Sequence, residues 1–251
     1  EHKEDAGFTT PHVAAADNPA LAVWSAQRIL VEARSTIRLR HPGIVRIYDA
    51  GQIDQSHYLS MEYVEGGPLD AVIDASAKAG AVSPYHENPA RILGLLAGVA
   101  RALGYAHSRP TPVIHCDLKP GNIMVDLEGQ PRLLDFGLSR VLKPVLEDDR
   151  EICGTPEYMA PEQAEGRTSD IDIRTDVYGF GALLYEFFTG RPPFRGRPEV
   201  VLRAVSAETP KPPSEVLKML QAEGRAASLR PIPPYLEDLC LRCLSKERER
   251  R

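Results

Sequence analysis

The sequence predicts an α+β chain in two unequal parts: a small sheet with one helix over residues 1–65, then a larger, mainly helical part over 66–251. Three observations lead there. Two short runs rich in β-branched and aromatic residues, 44–48 and 57–61, flank a turn containing Gly51, the pattern of an antiparallel strand pair. Further on, the stretches 92–103 and 177–188 carry apolar residues at helical spacing or throughout. Between strands and helices, Gly66-Gly67-Pro68 breaks the chain and marks the joint.

Taken in order, residues 1–20 are rich in Ala, Pro and charge, lack apolar periodicity and read as loop. Leu21, Trp24, Ile29, Leu30, Ala33 and Ile37 recur at three- and four-residue spacing and predict a helix over 21–39. His41-Pro42-Gly43 stops it, because the residue before a proline is steered away from helical angles. Past the joint, Asn88-Pro89 caps a helix whose stripe of Ile92, Leu95, Leu96, Val99 and Leu103 runs up to His107. The run 177–188 is more uniformly apolar, with Gly190 just beyond, and predicts a buried helix. From 198 to 244 the chain reads as helix, Pro-rich loop and helix, and the polar stretch 211–230 reads as a surface insertion.

A chain of 251 residues, 43% apolar and 26% charged, can bury a substantial core. Its net charge of −5 argues against a nucleic-acid partner, which would require a basic surface to neutralise phosphates. The longest apolar stretch, 92–106, is interrupted by Arg101 and falls short of the roughly 20 residues needed to span a bilayer, so no membrane contact is expected within this segment. Four unevenly spaced cysteines make no disulfide framework and point to a reducing compartment, the cytoplasm, with any membrane tether outside this segment. Cys240-x-x-Cys243 lies among Leu236, Leu239, Leu241 and Leu244, which predicts an amphipathic helix with partly buried thiols rather than a zinc site.

The chemistry concentrates in His115-Cys116-Asp117-Leu118-Lys119-Pro120-Gly121-Asn122, followed by Asp135-Phe136-Gly137 and Ala160-Pro161-Glu162. In this order and spacing they resemble the catalytic segment of the protein kinase family, of the eukaryotic-like (bacterial-type) Ser/Thr class, and the resemblance runs from about residue 21 to 251. It implies a bilobal fold, with an incomplete small lobe over 1–65 that includes the family's helix C and hinge, and a large lobe over 66–251. It also implies a signalling enzyme that uses ATP and Mg²⁺ to phosphorylate Ser or Thr hydroxyls of proteins. By the same match Asp117 orients the hydroxyl and accepts its proton, Lys119 neutralises the transferring phosphate, and Asn122 with Asp135 holds the metal. Phosphoryl transfer makes that demand by itself, since charge develops on the phosphate and hard oxygen donors suit Mg²⁺. Lys119 and the loop Gly154-Thr155-Pro156-Glu157-Tyr158 resemble the Ser/Thr rather than the tyrosine branch.

The resemblance assigns further positions. Met61 becomes the gatekeeper of an adenine pocket, with the Glu62 carbonyl and the Val64 amide facing the base and Met124 closing it from below. Glu32 becomes the partner of the nucleotide lysine. Thr36, Ile47, His115 and Phe136 would stack as an internal spine. Thr155 would contact Asp117 and Lys119, Asp176 would hold the catalytic loop backbone, and Glu162 would pair with Arg251.

Two departures stand out. The window 11–16, where the nucleotide lysine belongs, holds none, and the Gly-x-Gly-x-x-Gly loop is absent. Either those elements precede Glu1 in an N-terminally truncated kinase, or the chain is a pseudokinase that binds partners without transferring phosphate; intact Asp117, Lys119, Asn122 and Asp135 favour the first. A kinase-fold enzyme acting on small molecules is a further rival, disfavoured by the peptide-docking loop. The second departure is Cys116, which stands where the family carries an arginine that reads a phosphate on the activation loop. Activity independent of loop phosphorylation is therefore expected.

Overall fold

The computed structural model describes residues 37–53, 56–78, 81–136, 155–224 and 229–251. The predicted helix over 21–39, all but its last residues, lies outside this set, as do Glu32, Thr36, Gly137 and Cys153.

Strands β1 (Ile47–Ile53) and β2 (Ser56–Met61) form the expected antiparallel pair, with Ile47 opposite Met61 and Gly51 opposite Tyr58. Gly51 does not make the turn, however; it lies within β1. A Cβ there would stand 2.7 Å from the Tyr58 ring, so the glycine clears space for a cross-strand aromatic. The Tyr58 hydroxyl reaches back to donate to Asp49 at 2.7 Å.

The joint at Gly66-Gly67-Pro68 is also not a break. It forms a short strand, β3 (Gly66–Pro68), at the edge of a three-stranded sheet ordered β3–β4–β5, with β4 at Ile123–Asp126 and β5 at Pro131–Leu133. Gly66 has φ of 152°, and a Cβ on it would meet the Val125 carbonyl oxygen at 2.1 Å. Glycine is needed for backbone contact, and Pro68 is tolerated because the strand is an edge.

The larger part is helical: α1 (Leu69–Lys78), α2 (Pro84–Glu87), α3 (Pro89–His107), α4 (Pro161–Ala164), α5 (Ile173–Thr189), α6 (Pro198–Ala207), α7 (Pro213–Ala222) and α8 (Pro234–Cys243). Asn88 caps α3 as its sequence suggests, accepting the Arg91 amide at 3.1 Å. In α5 nearly every side chain from Tyr178 to Thr189 is buried, and Gly190 closes it in the left-handed region at φ 71°. Around α5 the core gathers Ile92, Leu96 and Val99 of α3 with Leu236 and Cys240 of α8. Cys240 and Cys243 are buried thiols whose pKa burial raises, so α8 matches the structural reading of that pair.

One expectation is overturned here. The stretch 211–230 is not a surface insertion throughout: α7 opens on Pro213 and buries Val216, Leu217 and Leu220 against the core. Those three residues carry helical spacing that the flanking prolines and charges obscure. None of the helices in the described residues is long and apolar enough to cross a membrane.

The two parts are joined by main chain. Val45 donates to the Leu133 carbonyl and Leu133 to the Gly43 carbonyl, each at 2.9 Å, so the segment before β1 runs parallel beside β5. His41 stacks on Tyr105 of α3 at 5.1 Å, and the Tyr105 hydroxyl accepts the Arg40 amide.

Buried His86 ties α2 to two other elements. Its Nδ1 accepts the Arg230 amide at 3.1 Å, which leaves the proton on Nε2, 3.0 Å from the Phe188 carbonyl. Burial first, opposed by the Phe188 carbonyl and aided by the Arg230 charge, holds its pKa below the ordinary histidine value; burial also lowers His115 and His41. A depressed histidine leaves the folded state with fewer bound protons than the unfolded chain. Stability is therefore complete above about pH 6.5 and declines as pH falls below it. Thermal unfolding should show Tm dropping by a few °C between pH 7.5 and 5.5, and His86→Gln should remove part of that drop; an unchanged pH profile in the variant would contradict this.

Candidate active site

The segment 115–122 leaves α3 and re-enters the sheet at β4, and α5 fixes its entry. Asp176, in the first turn of α5 and fully buried, accepts the His115 amide at 2.8 Å and the Cys116 amide at 2.9 Å. This is the backbone-holding role that the sequence assigned to it. The same carboxylate accepts His107 Nε2 at 2.7 Å, a contact the sequence did not disclose: His107 reads only as the basic last turn of a helix. Three donors converging on one buried carboxylate account for its tolerance inside the core. Cys116 takes a left-handed φ of 64°, which turns the chain toward Asp117.

Asp117, Lys119 and Asn122 come together at the loop's turn. Asn122 Nδ2 donates to the Asp117 carbonyl at 2.8 Å and to its Oδ2 at 3.1 Å, while Lys119 Nζ lies 3.1 Å from the same oxygen. Both amide hydrogens are spent on Asp117, and no hydrogen bond among the described residues engages Asn122 Oδ1. The 3₁₀ turn Pro120–Asn122 then feeds β4, and Leu134 donates to the Asn122 carbonyl at 2.9 Å, which brings the end of β5 beside the loop.

Asp135 follows directly, with a left-handed φ of 56°. Its pKa is raised, first by burial and further by the Asp117 charge, against the opposing pull of His115 and Lys119. Burial and the neighbouring Asp117 carboxylate both disfavour the ionised form of Asp135. Phe136, next in the chain, is fully buried with its ring 4.8 Å from that of His115, which bears out that part of the predicted spine; Ile47 is buried as well.

Met61 closes β2 and Glu62 follows, its amide donating to the Arg46 carbonyl at 2.8 Å. The Glu62 side chain turns to Arg132 and to the Arg46 amide. No hydrogen bond among the described residues engages the Glu62 carbonyl or the Val64 amide. Met124 lies in β4 opposite Pro68 and Arg132. Thr155 opens the 3₁₀ turn Pro156–Tyr158, but no hydrogen bond among the described residues links its hydroxyl to Asp117 or Lys119.

Beyond the 3₁₀ turn Pro156–Tyr158, Glu162 is fully buried. Arg251 grips it in a fork, Nη1 to Oε1 at 2.7 Å and Nη2 to Oε2 at 2.9 Å, and the Thr175 hydroxyl adds 2.9 Å. Next to it, Gln163 bridges Cys116 and Ala160, a contact unforeseen from sequence. The Tyr158 hydroxyl donates to buried Glu186 at 2.5 Å, and burial raises both pKa values.

The chain matches the family model described as "protein kinase domain" over residues 16–251. It belongs to that family. It is 33% identical over 233 residues to a probable serine/threonine-protein kinase PknB of Bifidobacterium longum, covering 88% of this chain and 30% of that protein. PknB of Mycolicibacterium smegmatis, 33% identical, and PrkC of Bacillus subtilis, 36% identical, also align over 88% of the chain, or 33% and 31% of their own lengths. The chain thus spans about a third of the curated relatives it matches.

Proposed function

We propose that this chain transfers the γ-phosphoryl group of ATP to Ser or Thr hydroxyls of proteins, as a cytoplasmic signalling kinase. The observation that carries the reading is the convergence of Asp117, Lys119 and Asn122 on one loop held by α5, with buried Asp135 beside it.

Asp117 Oδ2 is the acceptor for the substrate hydroxyl's proton, kept in register by Asn122 Nδ2. Lys119, 3.1 Å from it, supplies positive charge toward the transferring phosphate. Asn122 Oδ1 and the Asp135 carboxylate would hold Mg²⁺: both are hard oxygen donors, and the Leu134 amide on the Asn122 carbonyl brings the end of β5 beside the loop. When bound, that ion neutralises charge on the β- and γ-phosphates. The Glu62 carbonyl and Val64 amide, which no hydrogen bond among the described residues engages, would pair with adenine, with Met61 gating the pocket and Met124 flooring it. Glu32 remains the proposed partner of the nucleotide lysine.

The test uses the full-length protein, Mg-ATP and a serine-bearing protein substrate such as casein. Phosphoserine formation that stops when EDTA removes the metal is the expected result; absence of transfer would overturn the reading. Because Cys116 stands in place of the phosphate-reading arginine, prior phosphatase treatment should leave the rate nearly unchanged, whereas a large loss of rate would refute phosphate independence.

A further inference from the structure

The Cys116 peptide is held from both ends. Its amide donates to Asp176 of α5, and its carbonyl accepts Gln163 Nε2 of α4 at 2.7 Å. Gln163 Oε1 in turn accepts the Ala160 amide at 3.0 Å, so one side-chain amide spans the catalytic loop and the end of the docking loop. The neighbouring Glu162 is fixed to α5 through Thr175, the residue before Asp176. These contacts close a ring: α5 to Cys116, Cys116 to Gln163, α4 back to α5. Asp117 is the residue immediately after the clamped peptide, and Ala160, at the other end of the bridge, is fully buried.

We infer that Gln163 is a positioning residue that locks the docking loop to the catalytic loop without any phosphate, taking over what an arginine at position 116 would do through a modified activation loop. This rests on the kinase reading above. The chemistry of the bridge is specific. It requires one donor and one acceptor on a single side chain of this length, with the donor toward Cys116 and the acceptor toward Ala160. Glutamate keeps the acceptor and sets a second oxygen against the Cys116 carbonyl; alanine keeps neither.

The experiment compares Gln163→Ala and Gln163→Glu with the parent full-length protein. Three quantities are read: steady-state kinetics on casein, Tm, and hydrogen exchange of the Ala160 amide. Both variants should lose tenfold or more in kcat/KM for the protein substrate, with KM for ATP within twofold and Tm within about 3 °C of the parent. Ala160 exchange should accelerate tenfold or more in Gln163→Ala and stay near the parental rate in Gln163→Glu. Casein kinetics within twofold of the parent in both variants would overturn the inference, as would a loss shared equally by ATP binding and Tm, which would mark general unfolding. Should the parent itself transfer no phosphate, the kinase reading fails; the exchange pattern of the two variants then decides whether the bridge exists, so the two failures are separable.

Discussion

Asp117→Asn should lower kcat by a factor of roughly 10² to 10⁴, the range that a positioned general base contributes, while KM for ATP changes little. The amide keeps a carbonyl oxygen for the Asn122 donor but cannot take a proton from the substrate hydroxyl, and it leaves Lys119 without its 3.1 Å counter-charge. Stability should move the other way. Asp135 carries a raised pKa in part because Asp117 is charged beside it, and a folded-state carboxylate pKa above the unfolded value destabilises the fold at neutral pH. Removing the neighbour relieves that repulsion, so Tm should stay level or rise as activity collapses. Steady-state kinetics and calorimetry on one sample decide it: retention of more than a tenth of kcat would remove Asp117 from its role.

The largest stability effect should come from Arg251→Ala. Glu162 has no exposed surface, and the Arg251 side chain facing it has none either. Burial alone would raise the Glu162 pKa, yet the arginine fork, aided by Thr175, holds it below the ordinary carboxylate value. Removing one member of a buried, hydrogen-bonded pair leaves an uncompensated charge and costs about 3–5 kcal/mol. For a domain of this size that corresponds to a Tm loss of about 6–20 °C. Arg251 also donates to the carbonyls of Ser245 and Arg174, so the variant frees the chain after α8 as well. The sign of the pH effect follows from the lowered Glu162 pKa. The pair's contribution is complete above the unfolded value near 4.5 and is lost as pH falls through the folded one. Parent and variant should therefore converge in Tm at strongly acidic pH, and a constant difference down to pH 3 would contradict this account.

Much of the site was legible because its residues are close in sequence: Asp117, Lys119 and Asn122 share one short loop, and Asp135 follows one hairpin later. The long helices were legible for a different reason, since α3 and α5 announce themselves by caps and apolar stripes. Glycine proved the weaker guide. At Gly51 and Gly66 its presence answers crowding by a residue on the neighbouring strand, the Tyr58 ring and the Val125 carbonyl, and local reading assigns such glycines to turns or breaks. Contacts such as Gln163 to Cys116 and His107 to Asp176 were hidden because they join residues 47 and 69 positions apart whose types carry no local pattern. In α7, flanking prolines concealed an apolar face that only burial reveals.

The parallel bridge between Ile44 and Leu133 has a consequence for how the molecule comes apart. Leu39, Ile44 and Val45 precede the small lobe's strands in the chain, yet they are buried with, or hydrogen-bonded to, β5 and α3 of the large lobe. By energetic membership this stretch belongs to the cooperative unit of the helical part, and its amides should exchange with those of β5 rather than with those of β1 and β2. Exchange in step with β5 would put the frontier between the two folding units near Arg46, some twenty residues before the glycines at which the sequence suggests a division.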